Sequence, residues 1–107
     1  MDGVRDAVHP NLDVTRDDLE QFCRRWKVVE LSLFGSVVRE DFRPDSDVDV
    51  MVRFAPDAKI SLWDLVRMQD ELAALVGRDV DIVEYGQITN PFRRRSIERD
   101  LAVVYAA

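Results

Sequence analysis

The sequence has little of several features that mark particular classes of protein. It contains one cysteine, Cys23, so an intrachain disulfide is excluded and a reducing cytosol is favoured. No apolar run approaches the ~20 residues that a membrane-spanning helix needs. The first residues show neither the basic nor the apolar segment of a secretory signal. We therefore expect a cytoplasmic protein without a membrane contact.

Positive charge is also scarce. The chain carries 15 Lys and Arg against 21 Asp and Glu, a net charge of −6. Domains that hold nucleic acid by its phosphates usually have a basic face and a high pI, so direct nucleic-acid binding is not expected. The cluster Arg93-Arg94-Arg95 is interpreted as a solvated helix face. Alternatively, it contacts a phosphate or, together with Phe92, a partner protein.

Hydrophobic residues, by contrast, are abundant enough for a packed core. They make up 47% of the sequence, as in ordinary globular proteins, and 107 residues suit one hydrophobic core. We expect one domain at residues 15–107, after a loose N-terminus at residues 1–14. The oligomeric state stays open, with a homo-oligomer as one option.

Helix signals occur at three places. Thr15 resembles the first residue of a capping box, and the apolar spacing after it predicts a helix at 15–27. Ser61 begins a second capping box, for a helix that ends before a left-handed Gly77. Asn90 and the proline after it predict the start of a third helix. The side chains of the second helix that are predicted to face inward are Leu62, Leu65, Val66, Leu72, Leu75 and Val76.

Four segments have the alternation or the apolar content of strands, namely 28–34, 47–54, 79–85 and 101–105. In the first of them Val29, Leu31 and Leu33 are expected to share one face. A short helical turn is predicted after it. The order of elements is then α-β-α-β-α-β-α-β, which predicts an α/β (α+β) fold with helices packed on a small mixed sheet.

Two carboxylates interrupt the apolar strand at 47–54. In a strand, side chains two residues apart point to the same face, with Cα atoms about 6.6–6.8 Å apart. Asp47 and Asp49 therefore converge on one side, while Val48 and Val50 go to the other. Two carboxylates at that separation suit one divalent ion or a pair of ions. All-oxygen ligands favour Mg²⁺ or Mn²⁺.

A third carboxylate is expected from the strand at 79–85. Asp81 lies in mid-strand, where solvation explains it least, whereas Asp79 is nearer the strand end and is expected to be solvated; Glu84 is the remaining candidate. Three clustered carboxylates repel each other unless a cation is bound. The pattern thus predicts a metal site that joins Asp81 to the first pair. The alternative is a set of surface carboxylates on an edge strand.

Gly35-Ser36 lies between the first strand and the short helical turn. A glycine lets a ligand come close to the backbone, and free amides at the start of a helical turn attract an anion such as a phosphate. Walker-type GxxxxGK and dinucleotide-binding GxGxxG patterns are absent from the sequence, so a P-loop kinase or a dinucleotide enzyme is not expected. The arrangement predicts a site that brings a polyphosphate onto a metal.

The segment GSVVREDFRPDSDVDVMV, residues 35–52, resembles a known family signature. The signature is G-S-x-x-R-x-D-x(4)-S-D-x-D-x-x-V, that of the minimal nucleotidyltransferases, which are the smallest members of the DNA polymerase β-like superfamily. VDIV at 80–83 resembles the strand that carries the family's third aspartate. The resemblance extends from about Trp26 to Tyr105. It implies a polymerase β-like nucleotidyltransferase fold.

The resemblance also implies a metal role for each aspartate. Asp47 and Asp49 would coordinate both of two Mg²⁺ or Mn²⁺ ions. Asp81 would hold the catalytic ion and help to activate an acceptor hydroxyl. The three residues would together form the catalytic set.

On the nucleotide side, the resemblance implies that Ser36 binds the β- and γ-phosphates and that Gly35 shapes the turn. Arg39 matches a further position of the signature and is assigned to nucleotide binding, and Asp41 matches as well. For Arg39 and Asp41 a structural ion pair or a helix cap is an equal alternative. Ser46 is interpreted as a turn residue.

The activity implied by the resemblance is the transfer of a nucleoside monophosphate, AMP from ATP in the first hypothesis, to an acceptor hydroxyl. Family members are commonly paired with a helical HEPN toxin, and some add AMP to a tyrosine of that partner. The first hypothesis is therefore an antitoxin that adenylylates its partner. The alternatives are a non-catalytic antitoxin that acts by binding alone and an enzyme for a small-molecule acceptor. The short chain, without an acceptor-holding domain, favours a protein acceptor.

Overall fold

Six strands and three helices form the regular structure of the described residues, 7–9, 12–38, 46–86 and 90–107, in this computed structural model. In chain order they are β1 (Ala7–His9), β2 (Leu12–Thr15), α1 (Arg16–Arg25), β3 (Val28–Phe34), β4 (Val48–Phe54), α2 (Leu62–Val76), β5 (Val80–Glu84), α3 (Pro91–Asp100) and β6 (Ala102–Ala106). A 3₁₀ turn, Gly35–Val38, follows β3 where the short helical turn was predicted.

Four of the strands form one mixed sheet in the order β5-β4-β3-β6. β4 and β5 run parallel, whereas β3 pairs with β4 and with β6 in antiparallel fashion. A parallel pair needs a crossover connection, and α2 supplies it between β4 and β5. The predicted α/β (α+β) class with a small mixed sheet is thus confirmed.

One face of the sheet is covered by α1 and α2. Val48, Val50 and Val52 of β4 are at most 1% exposed and point to this face, because side chains two residues apart share a face. Phe22 of α1 and Leu72 of α2 belong to the same core. Burying one such side chain contributes about 1.5–3 kcal/mol. This layer therefore fixes β4 against both helices.

The opposite face is covered in part by α3. Ile97 of α3 is buried together with Phe34 of β3 and Met51 of β4, and Val83 packs against them. Asp49 is two residues before Met51 and hence lies on this same face. The α3 side of the sheet thus carries a second, smaller core directly beside an acidic residue.

The predicted helix caps are present. The side chains of Thr15 and Asn90 each accept a hydrogen bond from a backbone N–H in the first turn of their helices, at 3.1 and 2.9 Å. Ser61 and Asp64 form a reciprocal capping box at the start of α2, and Gly77 ends α2 in the left-handed conformation. These bonds satisfy backbone groups that a helix end leaves unpaired. None of the helices in the described ranges is both long and apolar enough to cross a membrane.

The inward face of α2 differs from the prediction. Leu62 and Val66 are 78% and 48% exposed, although both were predicted to face the core, and Met68, which was not predicted, is fully buried. Apolar residues of α2 occupy more than one stripe of the helix. The stripe that contains Met68 and Leu72 is fully buried, Leu65 and Leu75 beside it are half-buried, and Leu62 and Val66 stay in solvent.

The alternation of β3 also differs from the prediction. Val28 is 2% exposed, whereas Val29, which was predicted to share a face with Leu31, is only half-buried. The pairing register of β3 with β4 shifts between Val28 and Glu30. Such an irregularity turns the residues before it relative to those after it, and it therefore brings Val28 inward in place of Val29.

Residues 7–9 and 12–14, which fall within the predicted loose N-terminus at 1–14, belong to two strands. β1 and β2 pair in antiparallel fashion, and Leu12 and Val14 of β2 are 5% and 3% exposed in the main core. The burial of these two side chains against the helix layer holds β2 in place. A strand with only two inward apolar residues gives too short an alternation to be recognised in the sequence.

Candidate active site

Asp49 and Asp81 lie side by side on neighbouring strands. They are register partners in the parallel pair of β4 and β5, and adjacent strands are about 4.8 Å apart. Asp49 is half-buried and Asp81 is exposed. Because partners in a parallel ladder point to the same face, both carboxylates are on the α3 side of the sheet. The structure therefore brings together two of the three predicted catalytic residues.

Asp47 lies one residue before β4 and is exposed. The Val48 N–H donates a hydrogen bond of 2.9 Å to the Asp79 carbonyl, so the parallel ladder begins directly after Asp47. The predicted strand at 47–54 thus starts one residue later. Asp79 is exposed, as expected for a solvated strand-end residue.

Glu84, the other candidate for the third carboxylate, is on the wrong face. It pairs in register with Val52, whose side chain is fully buried on the α1 and α2 side of the sheet. Asp81 and Glu84 are three residues apart in one strand, so their side chains point in opposite directions. The register therefore favours Asp81 over Glu84 as the neighbour of Asp49.

Gly35 touches Asp49. It begins the 3₁₀ turn with φ +76°, a conformation that costs an L-residue about 1–2 kcal/mol. A Cβ atom at this position would collide with Asp49 Oδ2 and would lie 3.3 Å from its Cγ. Only glycine therefore fits both the backbone angle and the space beside the carboxylate.

The remaining predicted nucleotide-binding residues are only partly covered by the structure. The backbone of Ser36 is the second residue of the 3₁₀ turn, directly after Gly35; its side chain is outside the described part. Arg39 and Asp41 lie outside the described residues. The assignments of Ser36 and Arg39 therefore stay predictions.

The chemistry of the donor set fits a hard divalent cation, since Asp47, Asp49 and Asp81 offer only carboxylate oxygens. Within the described ranges, no three His, Cys, Asp or Glu side chains are arranged so that they could hold a metal ion. The register places two of the donors together, while the three-carboxylate assembly stays a prediction.

Cys23 carries a thiol, which is the strongest nucleophile among protein side chains, but it has no role in this site. It is fully buried in the main core behind the opposite face of the sheet. Burial, with a smaller contribution from the charge of Glu20, raises the pKa of the Cys23 thiol to about 12. Since the thiolate is the reactive form, a covalent cysteine mechanism is excluded for the folded chain.

A cleft that the sequence analysis did not find lies on the same face, between α3 and the strands β4 and β5. It is shallow, with an enclosed volume of about 20 Å³, and it opens to solvent. Its walls include Met51, Tyr85, Arg94, Ile97, Glu98 and Leu101. One signal was available, because Asp81, Val83 and Tyr85 alternate along one face of the strand.

The Tyr85 ring beside the cleft is held in place by a residue of the sheet, Arg53 of β4. The Arg53 guanidinium carbon lies 4.0 Å from the ring centroid, which is within the range of a cation–π contact. Arg53 Nε in turn donates to Glu30 Oε1 at 3.1 Å across β3 and β4. The N–H of Tyr85 donates to the Val52 carbonyl at 2.7 Å, so the parallel ladder continues one residue beyond β5.

Comparison with known families gives one model that covers most of the chain. The model described as "Nucleotidyltransferase domain" matches residues 17–104. This range contains the 3₁₀ turn, Asp47, Asp49 and Asp81. It also contains all three helices apart from the first residue of α1.

Comparison with individual proteins gives the same family. The chain is 34% identical over 92 residues to a Methanocaldococcus jannaschii protein named "Putative protein adenylyltransferase MJ1217", covering 86% of this chain and 92% of that protein. A crystal structure of a toxin–antitoxin with AMP-PNP shares the fold, with a TM-score of 0.70, 18% identity and coverage of 88% and 75% of the two chains.

A second solved structure also shares the fold. It contains a tri-AMPylated Shewanella oneidensis HEPN toxin in complex with an MNT antitoxin, and the similar chain has a TM-score of 0.61 and 17% identity. The coverage is 86% of this chain and 70% of that chain. The two solved structures therefore show that the fold of this chain occurs in other proteins.

Proposed function

The chain belongs to the nucleotidyltransferase domain family, and we propose that it transfers AMP from ATP to a hydroxyl group of a HEPN-like helical protein and thereby acts as an antitoxin. The observation that carries this proposal is the register pair of Asp49 and Asp81 beside the Gly35 turn. In this arrangement the two candidate metal-binding carboxylates lie next to the turn that we assign to phosphate binding.

In the proposed reaction, the acceptor oxygen forms a bond with the α-phosphorus of ATP. The bond between the α-phosphorus and the oxygen that bridges to the β-phosphate breaks, and pyrophosphate leaves. The hydroxyl proton passes to a carboxylate oxygen of Asp81, which is exposed and therefore open to an acceptor from outside. Gly35 and Ser36 hold the β- and γ-phosphates through the 3₁₀ turn.

Asp47, Asp49 and Asp81 are the residues that would hold two Mg²⁺ or Mn²⁺ ions. Such ions, when bound, would neutralise the triphosphate and lower the barrier to attack by the hydroxyl. The half-buried Asp49 carboxylate lies against Gly35, and Met51 of the second core follows two residues later in the same strand. Preorganised charge of this kind contributes strongly to catalysis.

The acceptor class is supported by what similar proteins are called. The M. jannaschii protein carries the name of a protein adenylyltransferase, and the S. oneidensis complex pairs an MNT antitoxin with an AMPylated HEPN toxin. A docked protein can hold its hydroxyl in line with the α-phosphate, an effect worth several kcal/mol. A protein acceptor therefore agrees with the descriptions of both similar proteins.

The test is to mix the chain with Mg-ATP and a cognate HEPN-like protein and to measure intact masses. We expect the partner to gain discrete AMP mass steps and its toxicity to fall in parallel. Asp49→Asn should abolish the mass step. Asp57→Asn is the matched control, because Asp57 is an exposed carboxylate beyond the other end of β4 and should leave the transfer unchanged.

The alternatives predict different results. If the partner is neutralised but keeps its mass, the chain is a non-catalytic antitoxin. If AMP appears only on a small hydroxyl compound and never on the protein, the acceptor class is wrong. If Asp49→Asn transfers AMP as fast as the original chain, the proposed site is wrong.

A further inference from the structure

We propose that the adenine ring of ATP packs across the open mouth of the cleft between α3 and the strands β4 and β5, and that Glu98 and Arg94 of α3 select that base. The proposal rests on the proposed function, since it assumes that the triphosphate lies at Asp49 and Asp81. It adds residues that select the nucleotide. Neither Glu98 nor Arg94 belongs to the signature of residues 35–52.

The cleft lies where a nucleoside attached to that triphosphate would extend. Met51 is two residues beyond Asp49 in β4 and points to the same face, about 6.6–6.8 Å along the strand. Tyr85 continues the corresponding face beyond Asp81 in β5. The phosphate turn at Gly35 is at the Asp49 end of β4. The cleft therefore begins on the far side of the carboxylates from the phosphate turn, along the line of the two strands.

The walls of the cleft suit a planar, largely apolar ring. Met51 and Ile97 are buried at its base, and Leu101, the residue directly after α3, also lines it. Tyr85 is 39% exposed and contributes an aromatic ring that Arg53 holds in position. Ligand sites in proteins commonly combine apolar and aromatic walls with a few polar groups. A purine base has this combination of an apolar face and a polar edge.

Arg94 and Glu98 supply the polar groups. They are four residues apart in α3, so they lie one above the other on one face of the helix, and both line the cleft. Both side chains are exposed, and within the described part of the chain they form no ion pair with each other. A carboxylate accepts the hydrogen bond that the 6-amino group of adenine donates, and a guanidinium donates to a ring nitrogen. The pair thus matches the polar edge of adenine.

The first measurement compares three ligands by calorimetry on the full chain with Mg²⁺, namely ATP, ITP and inorganic tripolyphosphate. ITP differs from ATP by a 6-oxo group in place of the 6-amino group, which would face the Glu98 carboxylate with a second acceptor. We expect ATP to bind about tenfold or more tightly than ITP, the range for a hydrogen bond to a charged group. Tripolyphosphate should bind more weakly than either nucleotide.

The second measurement uses three variants. Glu98→Gln places an amide that can donate to the 6-oxo group, so the ratio of ATP to ITP affinity should fall about tenfold. Arg94→Gln should weaken both nucleotides while leaving tripolyphosphate binding unchanged. Arg99→Gln is the matched control, because Arg99 is an exposed arginine of the same helix outside the cleft, and it should change none of the affinities.

Four outcomes separate this inference from the proposed function. If none of the three ligands binds, the nucleotide site fails and the base subsite fails with it. If all three bind equally, the phosphate site stands and the base subsite is wrong. If ATP is preferred but Glu98→Gln and Arg94→Gln behave like Arg99→Gln, the base lies elsewhere. If these variants reduce AMP transfer to a partner while nucleotide affinities stay constant, the cleft receives the acceptor and not the base.

Discussion

Gly35 and Asp49 are in direct contact across the start of the 3₁₀ turn, so the backbone of one residue and the carboxylate of the other occupy adjoining space. Any side chain at position 35 must displace that carboxylate. The contact couples the turn that we assign to phosphate binding with the residue that we assign to metal binding. A change at either residue is therefore expected to affect both parts of the site.

Gly35→Ala is expected to abolish Mg-ATP binding and to lower the free energy of unfolding. The alanine pays about 1–2 kcal/mol for its positive φ and in addition pushes against Asp49. Gly77→Ala is the control, because Gly77 has the same φ of 76° and no atom within 4 Å of the added Cβ. Denaturant unfolding and calorimetry measure both effects. Equal unfolding free energies and intact binding in the two variants would show that the contact with Asp49 has no consequence.

Divalent cations are expected to raise the Tm of the chain. An ion that binds only the folded state stabilises it by RT ln(1 + [L]/Kd), which is about 2.7 kcal/mol at 100 times Kd. Asp49→Asn should remove most of this shift, whereas Asp57→Asn, beyond the other end of β4, should retain it. Thermal melts with Mg²⁺, Mn²⁺ and Mg-ATP provide the measurement. A Tm that is indifferent to all three at millimolar concentration would contradict the metal site.

Ser36→Ala is expected to weaken nucleotide binding by about 1–3 kcal/mol and to cost little stability, because it removes one hydrogen bond to a charged phosphate. The variant should weaken tripolyphosphate to the same degree as ATP, since the serine is assigned to phosphates and not to the base. Calorimetry with both ligands checks this. Unchanged ATP affinity would show that the hydroxyl makes no phosphate contact.

The stability of the chain is expected to fall at alkaline pH because of Cys23. Burial raises the pKa of the Cys23 thiol to about 12, from 9.0. A folded-state pKa that is raised in this way favours the folded state fully below pH 9, and the contribution is lost as the pH rises from 9 towards 12. The loss approaches about 1.4 kcal/mol per pH unit.

The measurement is urea unfolding at several pH values between 8 and 10.5, with Cys23→Ala as the comparison. The variant is less stable at every pH because of its lost packing, but its stability should decline less steeply. In native buffer at pH 8, a thiol reagent should react only at the rate of unfolding. Fast modification of the folded chain would contradict the buried, protonated thiol.

Much of the fold and of the candidate site could be predicted from the sequence because the signals are local. The caps at Thr15 and Ser61, the left-handed Gly77 and the alternation of Val48 and Val50 each depend on neighbours within a few residues. The pair of Asp47 and Asp49 likewise follows from their spacing in a strand. The caps, the left-handed Gly77 and the burial of Val48 and Val50 are confirmed. The pairing of Asp47 with Asp49 stays a prediction, and Asp47 lies one residue outside β4.

Other features depend on contacts between distant segments. Whether Asp81 or Glu84 is the neighbour of Asp49 is decided by the register of β5 against β4, and a shift of one residue would reverse their faces. The exposure of Leu62 depends on which stripe of α2 the sheet covers. The burial of Val28 depends on the irregularity in the pairing of β3 with β4. The cleft at Tyr85 requires residues from β4, from the segment directly after β5 and from α3 together.

The sequence by itself determined the kinds of elements, their order and the residue types that carry the chemistry, because backbone preference, capping and side-chain alternation are properties of short segments. Only the tertiary structure decided that Gly35 abuts Asp49, that Asp81 is the register partner of Asp49 and that α3 leaves a cleft beside them. The physical reason is that these contacts join residues far apart in the chain. Their free energy depends on the packing of the whole sheet, which no short segment contains.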